Sequence, residues 1–190
     1  MSAPLPLSLL DSADHLGRCR YVELACFELL GRSAASPRHR DAATYLSGAS
    51  LAHAWRGGLL EELLPVSAGL PDAAACTSSP GPALDGALAL LEGAEDGAVL
   101  TAALTGALYP VMAAGYRERL ARCAPAPDAA LARALGRVLA DLDAVASDWT
   151  RLLATLGRAA GVAGGSALAL RLEVALGGAG GVFGPLGRAS

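Results

Sequence analysis

Isoleucine, lysine, asparagine and glutamine are all missing from the 190 residues of this chain. Three of the four are encoded by AT-rich codons, so their joint absence points to a GC-rich genome and a composition shaped by it. Aromatic residues make up only 4% and charged residues 17%, against a hydrophobic fraction of 53% and a mean hydropathy of +0.42. That balance excludes a disordered chain, which is polar and highly charged. With no lysine, every one of the 15 Lys and Arg positions is arginine, and the net charge is −3 with an isoelectric point near 5.6. No basic stripe is present, which weighs against binding a nucleic-acid backbone. The length is that of one domain.

Sequence features for other classes are also scarce. Cys19, Cys26, Cys76 and Cys123 form no Cys-x-x-Cys pair and no zinc spacing with histidine. Cys19 and Cys26 lie too far apart along one helix to bridge, so the four read as reduced, mostly buried thiols. The first residues carry no positive charge ahead of their apolar run, which argues against a signal peptide. Residues 163–176, the most apolar stretch, are interrupted by Arg171 and Glu173 and are too short to span a bilayer. Together these features predict a cytoplasmic protein without a membrane segment. The glycine words at 161–165 and 177–184 follow no strand, so they form no phosphate-binding loop. No Gly-x-Ser-x-Gly elbow occurs, and Ser147, Asp148 and His39 compose no nucleophile set. His15 and His39 fall on stretches expected to be solvated.

What is present is helical periodicity. Asp11 or Ser12 is the expected N-cap of a first helix running to Leu30 and ended by Gly31. Leu16, Cys19, Glu23, Cys26, Phe27 and Leu30 share its apolar face. Pro37 opens a second helix that continues to Leu64, with Leu46, Ala49, Ser50, His53 and Leu60 inward and Gly57-Gly58 weakening it. Residues 65–82 are rich in proline, glycine and serine and read as a long crossover. A short helix over 83–91 follows, then a third long helix from Asp96 to Cys123 kinked at Pro110. The fourth, Asp128 to Leu156, carries Leu131, Leu135, Val138, Leu142, Val145, Trp149, Leu152 and Leu156 in four-three alternation, the seam of a bundle helix. The expected fold is therefore all-α: an antiparallel four-helix bundle over residues 1–160 with a crossover between helices two and three. Residues 161–190 form a glycine-rich tail, with a loosely docked helix over 166–176 and disorder from Gly177.

Each long helix places one potential metal ligand near its middle: Glu23, His53, Glu118 and Asp141. Burying a carboxylate unpaired is costly, so such residues on apolar faces point either to a site or to ion pairs. Carboxylate oxygens with an imidazole suit iron or manganese. In the other reading Glu118 pairs with Arg119 or Arg122, Asp141 with Arg137, and Glu23 with Arg18 or Arg20. His53 is then a hydrogen-bonded core histidine.

Several words of the sequence resemble the ferritin-like superfamily. They are Tyr21-Val22-Glu23 with Phe27-Glu28-Leu29-Leu30-Gly31, and His53-Ala54-Trp55 before Leu63-Leu64-Pro65. Tyr116-Arg117-Glu118-Arg119-Leu120 and Val138-Leu139-Ala140-Asp141 belong with them. Over residues 11–156 the chain is similar to an actinobacterial branch related to tRNA-modifying hydroxylases, which act on the isopentenyl group of a modified adenosine. The resemblance implies a di-iron site built from one Glu on each of two helices and Glu-x-x-His on the other two. Glu23 and Glu118 match the single glutamates. The second helix reads Ser50-x-x-His53 and lacks the bridging Glu, while the fourth reads Asp141-x-x-Ala144 and lacks the His. A neutral hydroxyl neither bridges two cations nor balances their charge. Glutamate and histidine occur elsewhere in the chain, so codon bias does not account for these losses.

The sequence thus predicts a ferritin-like bundle with an incomplete metal site, no cofactor and a structural or interaction role. The alternative is a metal-dependent hydroxylase that holds iron or manganese with the reduced set Glu23, His53, Glu118 and Asp141. As to partners, Ala98, Ala102, Gly106 and Ala113 form a small-residue face that admits either a second copy in a homodimer or another helix of the same chain. Transfer RNA enters only through the family association.

Overall fold

The computed structural model describes residues 7–156, 159–177 and 181–186. Among these the chain is all-α, with no strand. Helix α1 spans Leu9–Ala35, a 3-10 segment Pro37–Ala42 follows, and α2 spans Ala43–Glu62. The stretch after α2 carries one short helical turn, α3 (Ala73–Cys76), before α4 (Pro82–Glu92). Helix α5 (Gly97–Ala103) passes through a π segment, Leu104–Leu108, into α6 (Tyr109–Ala121). Helices α7 (Ala129–Leu156) and α8 (Ala159–Gly177) complete the fold. Helix α1 lies along α2, α6 packs on α7, and α8 packs on α4 and α5.

Helix α1 starts a turn earlier than the sequence suggests because Ser8 caps it. Its Oγ accepts from the Asp11 backbone N–H at 3.1 Å and donates to Asp11 Oδ2 at 2.6 Å. The helix also runs through Gly31 rather than ending there. A Cβ at Gly31 would lie 3.3 Å from Ser50 Oγ, and that hydroxyl donates to the Phe27 carbonyl at 2.8 Å. Gly57 plays the same part in α2, where a Cβ would meet the Leu24 side chain at 3.2 Å. The glycines expected to break α1 and weaken α2 instead let the two helices approach closely. Phe27, expected inside, is 38% exposed.

Pro110 produces a π turn where a kink is predicted. Proline lacks an N–H, and in a regular α-helix its ring clashes with the carbonyl four residues back. The backbone avoids that clash by inserting Leu104–Leu108 as a π turn, in which the Tyr109 N–H reaches the Leu104 carbonyl. The helical stretch Gly97–Ala121 is long and apolar enough to cross a membrane by length and composition alone. Within this fold it is a core helix, with Leu100, Leu104, Leu108, Met112 and Tyr116 at zero exposure.

Part of the small-residue face of that stretch meets α8 of the same chain. A Cβ at Gly165 of α8 would lie 2.3 Å from the Ala102 Cβ, and one at Gly106 would lie 3.5 Å from the Ala169 Cβ. Helix α8 is longer than expected and buries Leu168, Leu172 and Leu176. Of the tail expected to be disordered from Gly177, Val182, Phe183 and Gly184 are buried, the first two at 2% exposure each. Residues 178–180 and 187–190 lie outside the described part. His15 and His39 are buried rather than solvated, at 1% and 4% exposure. The His39 ring sits between the Ser33 and Ala94 carbonyls at 3.2 and 3.4 Å, tying the 3-10 segment to the loop before α5.

Along α7 the expected seam is confirmed at Leu131, Leu135, Val138, Leu142 and Trp149, all buried, with Val145 and Leu152 half-buried. The side chain of Leu156 lies outside the described part. The Tyr45 ring packs at a tilt against Trp149, 5.1 Å between centroids, and its hydroxyl donates to the Val145 carbonyl, fastening α2 to α7.

Candidate functional site

The apolar periodicity of α1 turns Glu23 into the helical core, where it has no solvent exposure. Leaving a carboxylate there alone would cost several kcal/mol. Three donors meet it instead. His53 Nδ1 and Arg56 Nε both reach Oε2, at 2.6 and 3.0 Å, and the Tyr116 hydroxyl donates to Oε1 at 2.6 Å. His53 and Arg56 stand three apart on α2, hence on one face, and both have zero exposure. Arg56 reaches onward through Nη1 to Asp141 Oδ2 on α7, whose side chain is 30% exposed. Tyr109 of α6 lies on the far side of His53, its hydroxyl 3.4 Å from Nε2.

Partner chemistry assigns the protons. A carboxylate can only accept, so His53 donates through Nδ1 and Nε2 is left to accept from Tyr109. Burial pushes the Glu23 carboxyl upward, but Arg56, His53 and Tyr116 outweigh it and hold the group below its ordinary value. Burial holds the His53 imidazole below its ordinary value, with Glu23 opposing and Arg56 reinforcing. Arg56 has its pKa raised, since Glu23 more than offsets the effect of burial. Burial raises both tyrosine hydroxyls, and the Glu23 charge adds to it. The resting network is therefore ionised Glu23, cationic Arg56, neutral His53 and two neutral tyrosines.

Of the four residues singled out in the sequence, the fold gathers three: Glu23, His53 and Asp141. Glu118 is not among them. It lies exposed on the outer side of α6 and pairs with Arg122 at 3.9 Å, as the ion-pair reading anticipated. Asp141 takes Arg56 rather than Arg137, and Arg18 and Arg20, the partners considered for Glu23, are bound elsewhere. Arg18 pairs with Asp14, and Arg20 with Glu61 and Thr77. Sequence reasoning missed Arg56, Tyr109 and Tyr116. The signals were the His53-x-x-Arg56 spacing and two tyrosines seven apart on the apolar side of one helix, each needing a partner when buried.

A metal pair of the kind the resemblance implies does not fit this donor set. Bridging carboxylates need free lone pairs on both oxygens, yet Glu23 spends Oε2 on a histidine and a guanidinium and Oε1 on a phenol. A fixed guanidinium at hydrogen-bond distance from the same carboxylate opposes any metal cation placed there. Among the described residues no group of three or more His, Cys, Asp or Glu side chains is arranged to hold an ion. Cys19 and Cys26 line the same core, but burial and the charge of Glu23 raise both thiols, so neither is a reactive thiolate. No family model matches the chain, and neither does any curated protein or solved structure.

Proposed function

We propose that this chain is a non-catalytic helical-bundle protein of ferritin-like type, in which an internal cation takes the place of a metal centre. Its role is structural or one of interaction. The observation that carries the reading is Arg56, held between Glu23 and Asp141, the two carboxylates that the resemblance offers as ligands on the first and fourth long helices. Its positive charge gives both anions the compensation a bound cation would give, without the open coordination position that oxygen chemistry requires. The long α2-to-α4 crossover and the α7 seam support the bundle topology.

The hydroxylase alternative would need Glu23, His53, Glu118 and Asp141 around one ion. Glu118 points away from the other three, and Arg56 stands where that ion would go. Elemental analysis of protein purified from iron- and manganese-supplemented cultures tests the proposal. It predicts metal well below one ion per chain, whereas one or two ions per chain would overturn it.

A further inference from the structure

Residues 181–186 return to the far end of α1 and α6 and are held there by a small number of specific contacts. The Phe183 ring enters a slot against Tyr116, 4.6 Å between centroids, with the His15 ring edge-on at 6.1 Å. The slot exists because α6 has glycine at 115. A Cβ there would sit 2.6 Å from Phe183 Cδ2. Arg18 reads the backbone of the segment, donating from Nε to the Phe183 carbonyl at 2.9 Å and from Nη2 to the Pro185 carbonyl at 2.7 Å. Asp14, one turn back on α1, fixes the third guanidinium nitrogen at 2.7 Å. Gly181 and Gly184 have φ of +86° and +69°, a left-handed backbone that side chains disfavour, so the shape of the segment is encoded in its glycines. A cavity of about 480 Å³ continues from the ring between α1, α6 and the segment.

These are the means by which folded domains recognise short peptides: one aromatic anchor in a pocket, and main-chain carbonyls read by a fixed donor. None of the contacts depends on the segment being joined to α8. We propose that the slot between α1 and α6 is a peptide-binding site which this chain fills with its own Val182–Pro185. A peptide with an aromatic residue followed by Gly-Pro is the ligand it accepts from outside. A tethered segment competes at an effective concentration in the millimolar range. The wild-type site is therefore closed to a weak external peptide and opens when the segment is withdrawn. Withdrawal also uncovers Tyr116, and through it the Glu23 network. The inference is independent of whether the network has replaced a metal.

The full-length Phe183→Ala variant vacates the ring slot and keeps Arg18. The probe is the acetylated and amidated hexapeptide Gly-Val-Phe-Gly-Pro-Leu, titrated by calorimetry or by the chemical shifts of labelled protein. Saturable binding to Phe183→Ala is expected, at least tenfold tighter than to wild type. It should also be at least tenfold tighter than binding of the same peptide with Ala for Phe. Adding Gly115→Val to Phe183→Ala should abolish it. Should the alanine variant fail to fold, Phe183→Leu takes its place with the same expectation. Absence of saturable binding to a folded variant would overturn the proposal, as would equal affinity for wild type or for the Gly115→Val chain.

Discussion

Arg56 Nε lies 3.0 Å from Glu23 Oε2 in a core where neither side chain meets solvent. Two further facts give this pair its weight. The same guanidinium also holds Asp141, and the same carboxylate also holds His53 and Tyr116, so one ion pair ties together α1, α2, α6 and α7.

Breaking the pair from one side is expected to be severe. Arg56→Met leaves Glu23 buried without its cation, and loss of one partner of a buried pair costs about 3–5 kcal/mol. Glu23→Leu strands Arg56 in the same way. The double variant Glu23→Leu with Arg56→Met should cost less than the sum of the single changes by about 1–3 kcal/mol. Urea denaturation of the four proteins closes this cycle. Strict additivity would show that the two residues are not coupled.

Acid is expected to destabilise the fold in two stages. His15 is buried beside Arg18, Arg119 and Arg122; burial first, and those charges after it, bring its pKa down from 6.5 to about 3. The unfolded chain takes up a proton below pH 6.5 that the folded chain refuses, so stability falls as pH drops from 6.5 towards 3. The slope from this residue approaches about 1.4 kcal/mol per pH unit. His53, also lowered, adds to it in the same direction. Glu23 has the opposite charge type but the same sign of effect. Its carboxyl is depressed in the fold, so its contribution is present above the unfolded value of 4.5 and is lost as pH falls below it. Denaturation midpoints between pH 7 and 4 should decline in wild type and decline less steeply in His15→Leu. Equal slopes in the two proteins would contradict the assignment.

The glycines divide into two kinds that substitution separates. Gly165 faces Ala102 at a distance no Cβ can occupy, so Gly165→Ala must push α8 off α5 and should cost about 1–3 kcal/mol. Gly136 is exposed on α7 with open space where its Cβ would be. There Gly136→Ala should stabilise by about 0.5–1 kcal/mol, from helix propensity alone. Thermal melts of the two variants should therefore shift in opposite directions.

This division also explains how far the sequence could be read. The α7 seam was legible because branched apolar residues repeat at four-three spacing with nothing to contradict them. Gly31 and Gly57 misled because glycine signals both a helix end and a close helix crossing, and only the position of Ser50 and Leu24 in space decides between them. His15 and Phe27 exchanged their expected places for a related reason: their exposure is set by the segment around Phe183 and by the α1–α2 crossing, neither of which is local in sequence. At the site, Glu23, His53 and Asp141 were visible as polar residues on apolar faces. Arg56 was not, because arginine is so common in this chain that its three-residue spacing from His53 stands out only once its burial is known.

The central claim is that Arg56, and not a metal, is the cation between Glu23 and Asp141. Nuclear magnetic resonance of labelled protein titrated with Mn²⁺ tests it most directly, since a paramagnetic ion in the core would broaden its neighbours first. The account predicts a slowly exchanging Arg56 Nε–H signal and sharp His53 ring signals that keep their width at one equivalent of Mn²⁺. Selective loss of those signals at that ratio would contradict it.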